Sequence, residues 1–447
     1  MKIDLSIGAE LSSSISIKID EVAKETRKDF TEIISIISQT KGLRNDIDWW
    51  VESPASRNTL ASPLFYYLCG IRLIDRLIKE NHYISEITVD SFALKLILRD
   101  LLLKKSVNIP VRGPNSSTAN KLHRLLKNIE IVFNTLKNKL YMVKCSRKTK
   151  YLQKPMIDGS ITLIDTFVFP GYISKDRYYN GLWKNLSNDE RSITYFVPTL
   201  TNIPSIEIKS AYRELRKSDR NFLIKEDYLK FYDIFFAILH CFRILFLKVR
   251  SVFFIDIDVS LLIREEILKF KEFSSVVDAL LNFRFANALK KERVNLRLVI
   301  NWFENQAVDK GWNAGFSLFY PRIRTVGYRG YITSDLYLCT LPSKCENINK
   351  VLPQEIAVIG KGLCDSIKEF DSEVKTKIAP ALRFSHLWEN HLFIPSSKFF
   401  TIFFALPYSL VDSNEIFQAL FNNLDYMINN SFRIIVKPHP SMNIDNV

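Results

Sequence analysis

Leu296-Arg297-Leu298-Val299-Ile300-Asn301-Trp302-Phe303 runs straight into Glu304-Asn305-Gln306-Ala307-Val308-Asp309-Lys310-Gly311-Trp312-Asn313. The first eight residues are apolar enough for a buried strand, and the polar cluster after them stands where that strand ends and a helix begins. A strand that delivers polar side chains to its carboxyl end and then turns into a helix is the repeating unit of a doubly wound α/β sheet, and those strand ends are where ligands bind.

The same alternation continues on both sides. Downstream, strands are expected at Ile356–Gly360, Phe399–Ala405 and Arg433–Lys437, with a helix over Asn414–Asn429 joining the last two. Upstream, Ile161–Phe169 and Thr194–Pro198 read as strands, and helices are expected over 207–217, 229–249 and 274–291. Ile47-Asp48-Trp49-Trp50-Val51, Glu86–Asp90 and Val107–Val111 read as three more strands, separated by helices that begin at Ser62-Pro63 and at Phe92. The expected organisation is an N-terminal helical extension over 1–45, a Rossmann-like domain over 46–290 and a second over 291–447. A basic linker lies near 145–155 within the first. Domain clefts are preferred ligand sites, so the two domains would share one.

Composition narrows the function classes. The 447 residues are 47% hydrophobic and 13% aromatic, a globular composition. Glycine is scarce at 13, and neither a G-x-G-x-x-G nor a P-loop occurs. The net charge is +14, from 62 Lys and Arg against 48 Asp and Glu. With no basic helix interleaved with aromatics, no zinc-finger spacing and no RNA-recognition signature, no nucleic-acid partner is expected. An anionic membrane face or an anionic substrate fits the charge better. The six cysteines form no C-x-x-C, and Cys69 and Cys241 read as small core residues of a reduced, cytoplasmic protein. The N-terminal Met-Lys-Ile-Asp-Leu-Ser has no signal-peptide core. The most apolar run, Ile234–Val249, is broken by His240, Arg243 and Lys248 and is shorter than a membrane span. The expected location is the cytoplasm, with room for peripheral attachment to a bacterial inner membrane.

Three segments can carry chemistry. In the first, Glu304 and Asn305 face the strand end, with Gln306, Asp309 and Asn313 as orienting groups; capping of the helix is the plain alternative. The nearby Val326-Gly327-Tyr328-Arg329-Gly330-Tyr331 has glycines suited to close backbone approach, or to a turn. In the second, Lys437-Pro438-His439-Pro440 places a cation and an imidazole at a strand end, which suits a phosphate. In the third, Glu226 and Asp227 are adjacent carboxylates, read either as a helix N-terminus or as a nucleophile or base in a sugar site. Asp165, at the end of an apolar run, is a buried-looking acid that needs a partner or a task. Metal ligation has little support, since no histidines are spaced as a ligand pair. Asp256-Ile257-Asp258 would put two carboxylates on one face of a strand, most simply a solvated face.

These blocks resemble bacterial surface-polysaccharide enzymes, most closely the retaining β-Kdo transferases of glycosyltransferase family 99. The resemblance is carried by Trp49–Asn58 with Ser62-Pro63-Leu64-Phe65 after it, by Leu163–Val168 and Lys225–Leu229, and by Phe303–Gln306, Lys310–Asn313 and Lys437–Pro440. It implies a GT-B fold, with two Rossmann-like domains around a cleft. It implies a CMP-activated acidic sugar as donor, a lipid-linked glycan as acceptor, no cofactor or metal, and double displacement through an aspartate. Carried onto this chain, Asp227 would be the nucleophile, with Glu226 as its neighbouring substitute and Asp165 an acid/base or orienting acid. Lys437, His439 and Pro440 would hold the CMP phosphate, and Glu304 and Asn305 would line the donor cleft. Related enzymes continue beyond the His-Pro loop, so an incomplete second domain is expected here. A non-catalytic scaffold or glycan-binding protein of the same machinery is the alternative reading.

Overall fold

In the computed structural model of the chain, described over residues 1–40, 42–43, 46–115, 118–153, 159–173, 175–270, 272–388, 400–407 and 410–439, two units separate between His386 and Leu387. In the first unit, β1 (Lys2–Asp4), β2 (Glu86–Thr88) and β3 (Val111–Arg112) form a small parallel sheet in that order. Six further strands form the main sheet: β4 (Ile161–Val168), β5 (Thr194–Leu200), β8 (Leu296–Trp302), β9 (Arg324–Arg329), β10 (Glu355–Val358) and β11 (Thr376–Ile378). Between them lies a two-strand hairpin of β6 (Phe253–Phe254) and β7 (Ile257–Asp258).

The main sheet is parallel throughout, ordered β11-β10-β9-β8-β4-β5. From β4 the chain steps outward to β5, then returns to the other side of β4 to lay down β8, β9, β10 and β11. The direction of winding therefore reverses between β4 and β8. Side chains alternate to both faces and both are covered, which gives the strands their apolar character. Leu163, Val197 and Val299 meet the helices Phe231–Ile238, Phe273–Lys291 and Ala307–Phe319. Ile164 and Phe196 meet Tyr212 and Leu215 of the helix Ile208–Lys217. This is an α/β fold with a six-stranded parallel sheet, compatible with a Rossmann-like arrangement.

Several expectations are corrected. The boundary near 290 is not a seam, because β4 before it and β8 after it pair in one sheet. Residues 1–45 are not an extension: Ile3 and Leu5 are buried at β1, and the helix Ser13–Ser38 packs Ile33, Ile34 and Ile37 into the same core as the helix Leu64–Lys79. Ile47–Trp50 is a helical turn and not a strand, since the Asp46 side chain accepts the backbone N–H of Asp48 and starts a helix there. The stretch expected as a linker near 145–155 instead holds the end of a 32-residue helix, Thr118–Thr149; Lys154 and Pro155 lie outside the described residues. The helix expected over 229–249 is three shorter pieces, Phe231–Ile238, His240–Arg243 and a 3-10 turn at Ile244–Phe246. Val326–Arg329 belongs to β9, where Gly327 lets Phe303 and Pro353 pack directly on the backbone.

The second unit holds β12 (Thr401–Ala405) and β13 (Arg433–Lys437), parallel and in register from Thr401↔Arg433 to Ala405↔Lys437. The helices Leu410–Asn422 and Leu424–Asn429 connect them, which makes a β-α-β unit.

Candidate functional site

At the carboxyl ends of β5, β4 and β8 the first unit opens a cleft of about 510 Å³. It lies at the point where the winding direction reverses, the place where open α/β sheets bind ligands. Its size suits a small organic ligand. Thr199 and Leu200 end β5, Phe167 and Phe169 come from the end of β4, and Trp302 ends β8. Lys139 and Met142 of the Thr118–Thr149 helix and Ser274, Ser275 and Asp278 of the Phe273–Lys291 helix complete the walls.

The turn after β8 shapes the cleft. Asn305 adopts φ +59°, a left-handed conformation that Asn tolerates well, and this reverses the chain into the Ala307–Phe319 helix. Asp309 reaches back to cap that helix, accepting the backbone N–H groups of Gln306 at 3.0 Å and Glu304 at 3.3 Å, and the Asn301 amide at 2.7 Å. Glu304 points into the cleft with both oxygens oriented: Trp302 Nε1 donates to Oε1 at 2.8 Å and Gln306 Nε2 to Oε2 at 2.6 Å. Burial raises its pKa, which Trp302, Arg383, Gln306 and Arg177 offset in part. Asp309 is pushed up to about 8, first by burial and then by the charges of Asp165 and Glu304. Trp302 is braced by Tyr178, edge-on at 4.4 Å, and by Tyr331, stacked at 5.7 Å.

The lining is acidic. Glu272, Asp278, Glu304 and Asp309 face it against Lys139, the one cation among the described lining residues, which already pairs with Asp278 at 2.7 Å. Such a surface repels phosphate. Aromatic rings beside oriented carboxylates and hydroxyls instead suit a neutral polyol, whose C–H faces stack and whose hydroxyls both donate and accept.

Within the first unit the expected site residues are not gathered in one place. Glu304 lines the cleft. Asn305 does not: it is wholly buried, donating to the Cys339 carbonyl at 2.8 Å and accepting from Lys310 Nζ at 2.5 Å. That lysine also pairs with Glu346, which Arg57 grips from the other side at 3.0 Å. The conspicuous Arg57, Asn305 and Lys310 are thus members of one buried network joining distant segments. Asp165, on β4, is not part of the lining; burial pushes it up to about 7 against the nearby Lys225, and among the described residues its Oδ1 has no hydrogen-bond partner. Asp227 is held by Arg216 at 2.9 and 3.0 Å and by the Ser146 hydroxyl at 2.6 Å, and is not part of the lining. Glu226 is buried beside it, its pKa raised by burial. Lys437 ends β13 in the second unit and His439 follows it; Pro440 lies outside the described residues.

The Asp256–Asp258 pair does not share a strand face. Ile255 and Asp256 form the hairpin tip with φ of +51° and +62°, and Asp258 accepts the backbone N–H of Ser260 at 2.9 Å to start the next helix. Cleft residues that the sequence did not single out include Lys139, Thr199 and Asp278. Thr199, the last residue but one of β5, carried the nearest signal: a polar residue near the end of an apolar strand. Comparisons of the chain with protein-family models, with curated proteins and with solved structures find no match.

Proposed function

We propose that the chain is a glycosyltransferase and that the cleft holds the acceptor sugar. The observation that carries this reading is Glu304, an oriented carboxylate beside a braced tryptophan at the switch point of the sheet. A sugar ring stacked on the aromatic wall would present a hydroxyl to Glu304. Its proton passes to the carboxylate as the oxygen attacks an anomeric carbon, and the bond from that carbon to its leaving group breaks with the electron pair going to the leaving group. The raised pKa suits a base that must hold the proton it removes. The resemblance to retaining β-Kdo transferases supports a CMP-activated acidic sugar as donor. The acidic lining argues that donor and acceptor are not held by the same surface, and Lys437 and His439 are the groups suited to the donor phosphate.

Release of CMP from CMP-Kdo in the presence of a lipid-linked oligosaccharide tests this. Glu304→Gln is expected to lower the rate about 10²- to 10⁴-fold while calorimetric affinity for the oligosaccharide stays within about threefold. Unchanged turnover in that variant removes Glu304 from the reaction, and absence of oligosaccharide binding by the unmodified chain removes the whole reading. A second reading, a glycan-binding protein without transfer, is favoured by the ion pair that occupies Asp227. It requires oligosaccharide binding with no release of CMP.

A further inference from the structure

From Phe231 to Phe246 the chain makes successive helical turns whose outer face is covered in large apolar side chains. Phe231, Phe235, Leu239, Phe242, Leu245 and Phe246 are between 46% and 80% exposed. Their spacing places them on one side of the helical path, and the inner side is anchored by Ile234, Ala237 and Ile238. Isolated exposed hydrophobics are ordinary, but six on one face are not.

The surroundings identify what would cover this face. Between Tyr228 and Arg250 the sole acid is Asp233, which is buried and consumed by Arg284 at 2.6 Å. Lys230, Lys248 and Arg250 are exposed. The Arg147 guanidinium stands 5.2 Å over the Phe231 ring, and Lys291 and Arg284 each stand 5.6 Å from the Tyr232 ring. Arg147 belongs to the stretch 137–150, which contains four lysines besides Lys139 and Arg147 and not one acid. Glu292, beside Lys291, is the exposed acid at one edge. Among the described residues no helix is long and apolar enough to cross a membrane.

We propose that this face is a docking surface for an anionic phospholipid bilayer. The aromatic and aliphatic side chains would enter the boundary between headgroups and acyl chains to a depth of roughly 5–10 Å, lying in its plane. The surrounding cations would bind anionic headgroups, each strengthening attachment about fivefold at low salt, the equivalent of about 1 kcal/mol. A protein partner of ordinary composition would not require so one-sided a charge. The surface lies outside the cleft lining, so its test does not depend on the chemistry assigned there.

Cosedimentation of the full chain with vesicles decides the matter, using phosphatidylcholine alone or mixed with phosphatidylglycerol. Binding is expected to the mixed vesicles only. It should weaken steeply between about 0.1 M and about 1 M salt, over which the Debye length falls from about 10 Å to about 3 Å. The double variant Phe242→Ser with Phe246→Ser, and separately Lys248→Glu with Arg250→Glu, should each lose about tenfold or more in affinity. All four side chains are exposed, and an unchanged far-ultraviolet circular dichroism spectrum verifies the fold. Absence of binding, or equal binding to neutral vesicles, overturns the proposal. So does an oligomer of the unmodified chain that the Phe242/Phe246 variant dissociates without any vesicle binding, since the face would then be a protein interface.

Discussion

His240 is held at both ring nitrogens by carboxylates, Nδ1 by Asp48 and Nε2 by Glu52, each at 2.6 Å, while Arg243 grips Asp48 at 2.7 and 2.8 Å. Burial disfavours the imidazolium, yet the two carboxylates prevail and push its pKa up to about 9. A folded-state pKa above the ordinary value of 6.5 makes the protonated form part of the native structure. Its contribution, on the order of 3 kcal/mol, is complete below about pH 6.5 and is lost as pH rises through about 9. Urea midpoints should therefore fall across that interval, and His240→Gln should be less stable at pH 6 while losing most of this slope. In the sequence, Asp48 and Glu52 were visible only as members of a tryptophan-rich block, and His240 only as an interruption of an apolar run. Ionic partners separated by about 190 residues leave no local pattern. Glu304 was legible for the opposite reason: strand end, polar residue and helix start are adjacent in the chain.

At the scale of elements, the helices Phe273–Lys291 and Ala307–Phe319 approach backbone to backbone at Gly311 and Gly315. A methyl group on Gly311 would overlap the Ala279 carbonyl, and one on Gly315 would lie 3.0 Å from the Phe283 Cα. An alanine is ordinarily favoured over glycine in a helix by about 1 kcal/mol, but here sterics should win. Gly311→Ala is expected to destabilise by about 1–3 kcal/mol in thermal or urea unfolding, and to disturb Asp309 in the cleft two residues away. Strands β4, β5, β8 and β10 were legible because each is rich in apolar residues, and β4 and β5 are buried on both faces. Ile47–Val51 misled for the same reason: two tryptophans and two β-branched residues look like a strand when the capping role of Asp46 is overlooked. The Thr118–Thr149 helix escaped notice because its lysines resemble a linker, although its buried face carries Met142, Val143 and Cys145.

On the scale of the whole molecule, the pairing of β4 with β8 decides which pieces can stand alone. A fragment ending at residue 290 would leave the inner edge of β4 without a neighbour and uncover a row of backbone donors and acceptors. It is expected to aggregate, whereas residues 1–386 should express as a folded protein; soluble yield and circular dichroism of both fragments check this. The class of fold was readable from alternating strands and helices, but strand order was not, because nothing local records that the chain returns to the far side of β4. The cleft was invisible for a related reason. Its walls come from segments as distant as Ser53 and Asp309.

The Thr118–Thr149 helix joins two of these regions. Lys139 stands in the cleft wall and Arg147 over Phe231, eight residues apart on one rigid rod. At 1.5 Å per residue they are about 12 Å apart along its axis. The helix is thus a ruler. If the aromatic face rests on a bilayer, it fixes how short a reach separates a lipid's headgroup from the carboxylate that would act on its sugar, and lengthening or shortening the rod by one turn would move one against the other by about 5.4 Å.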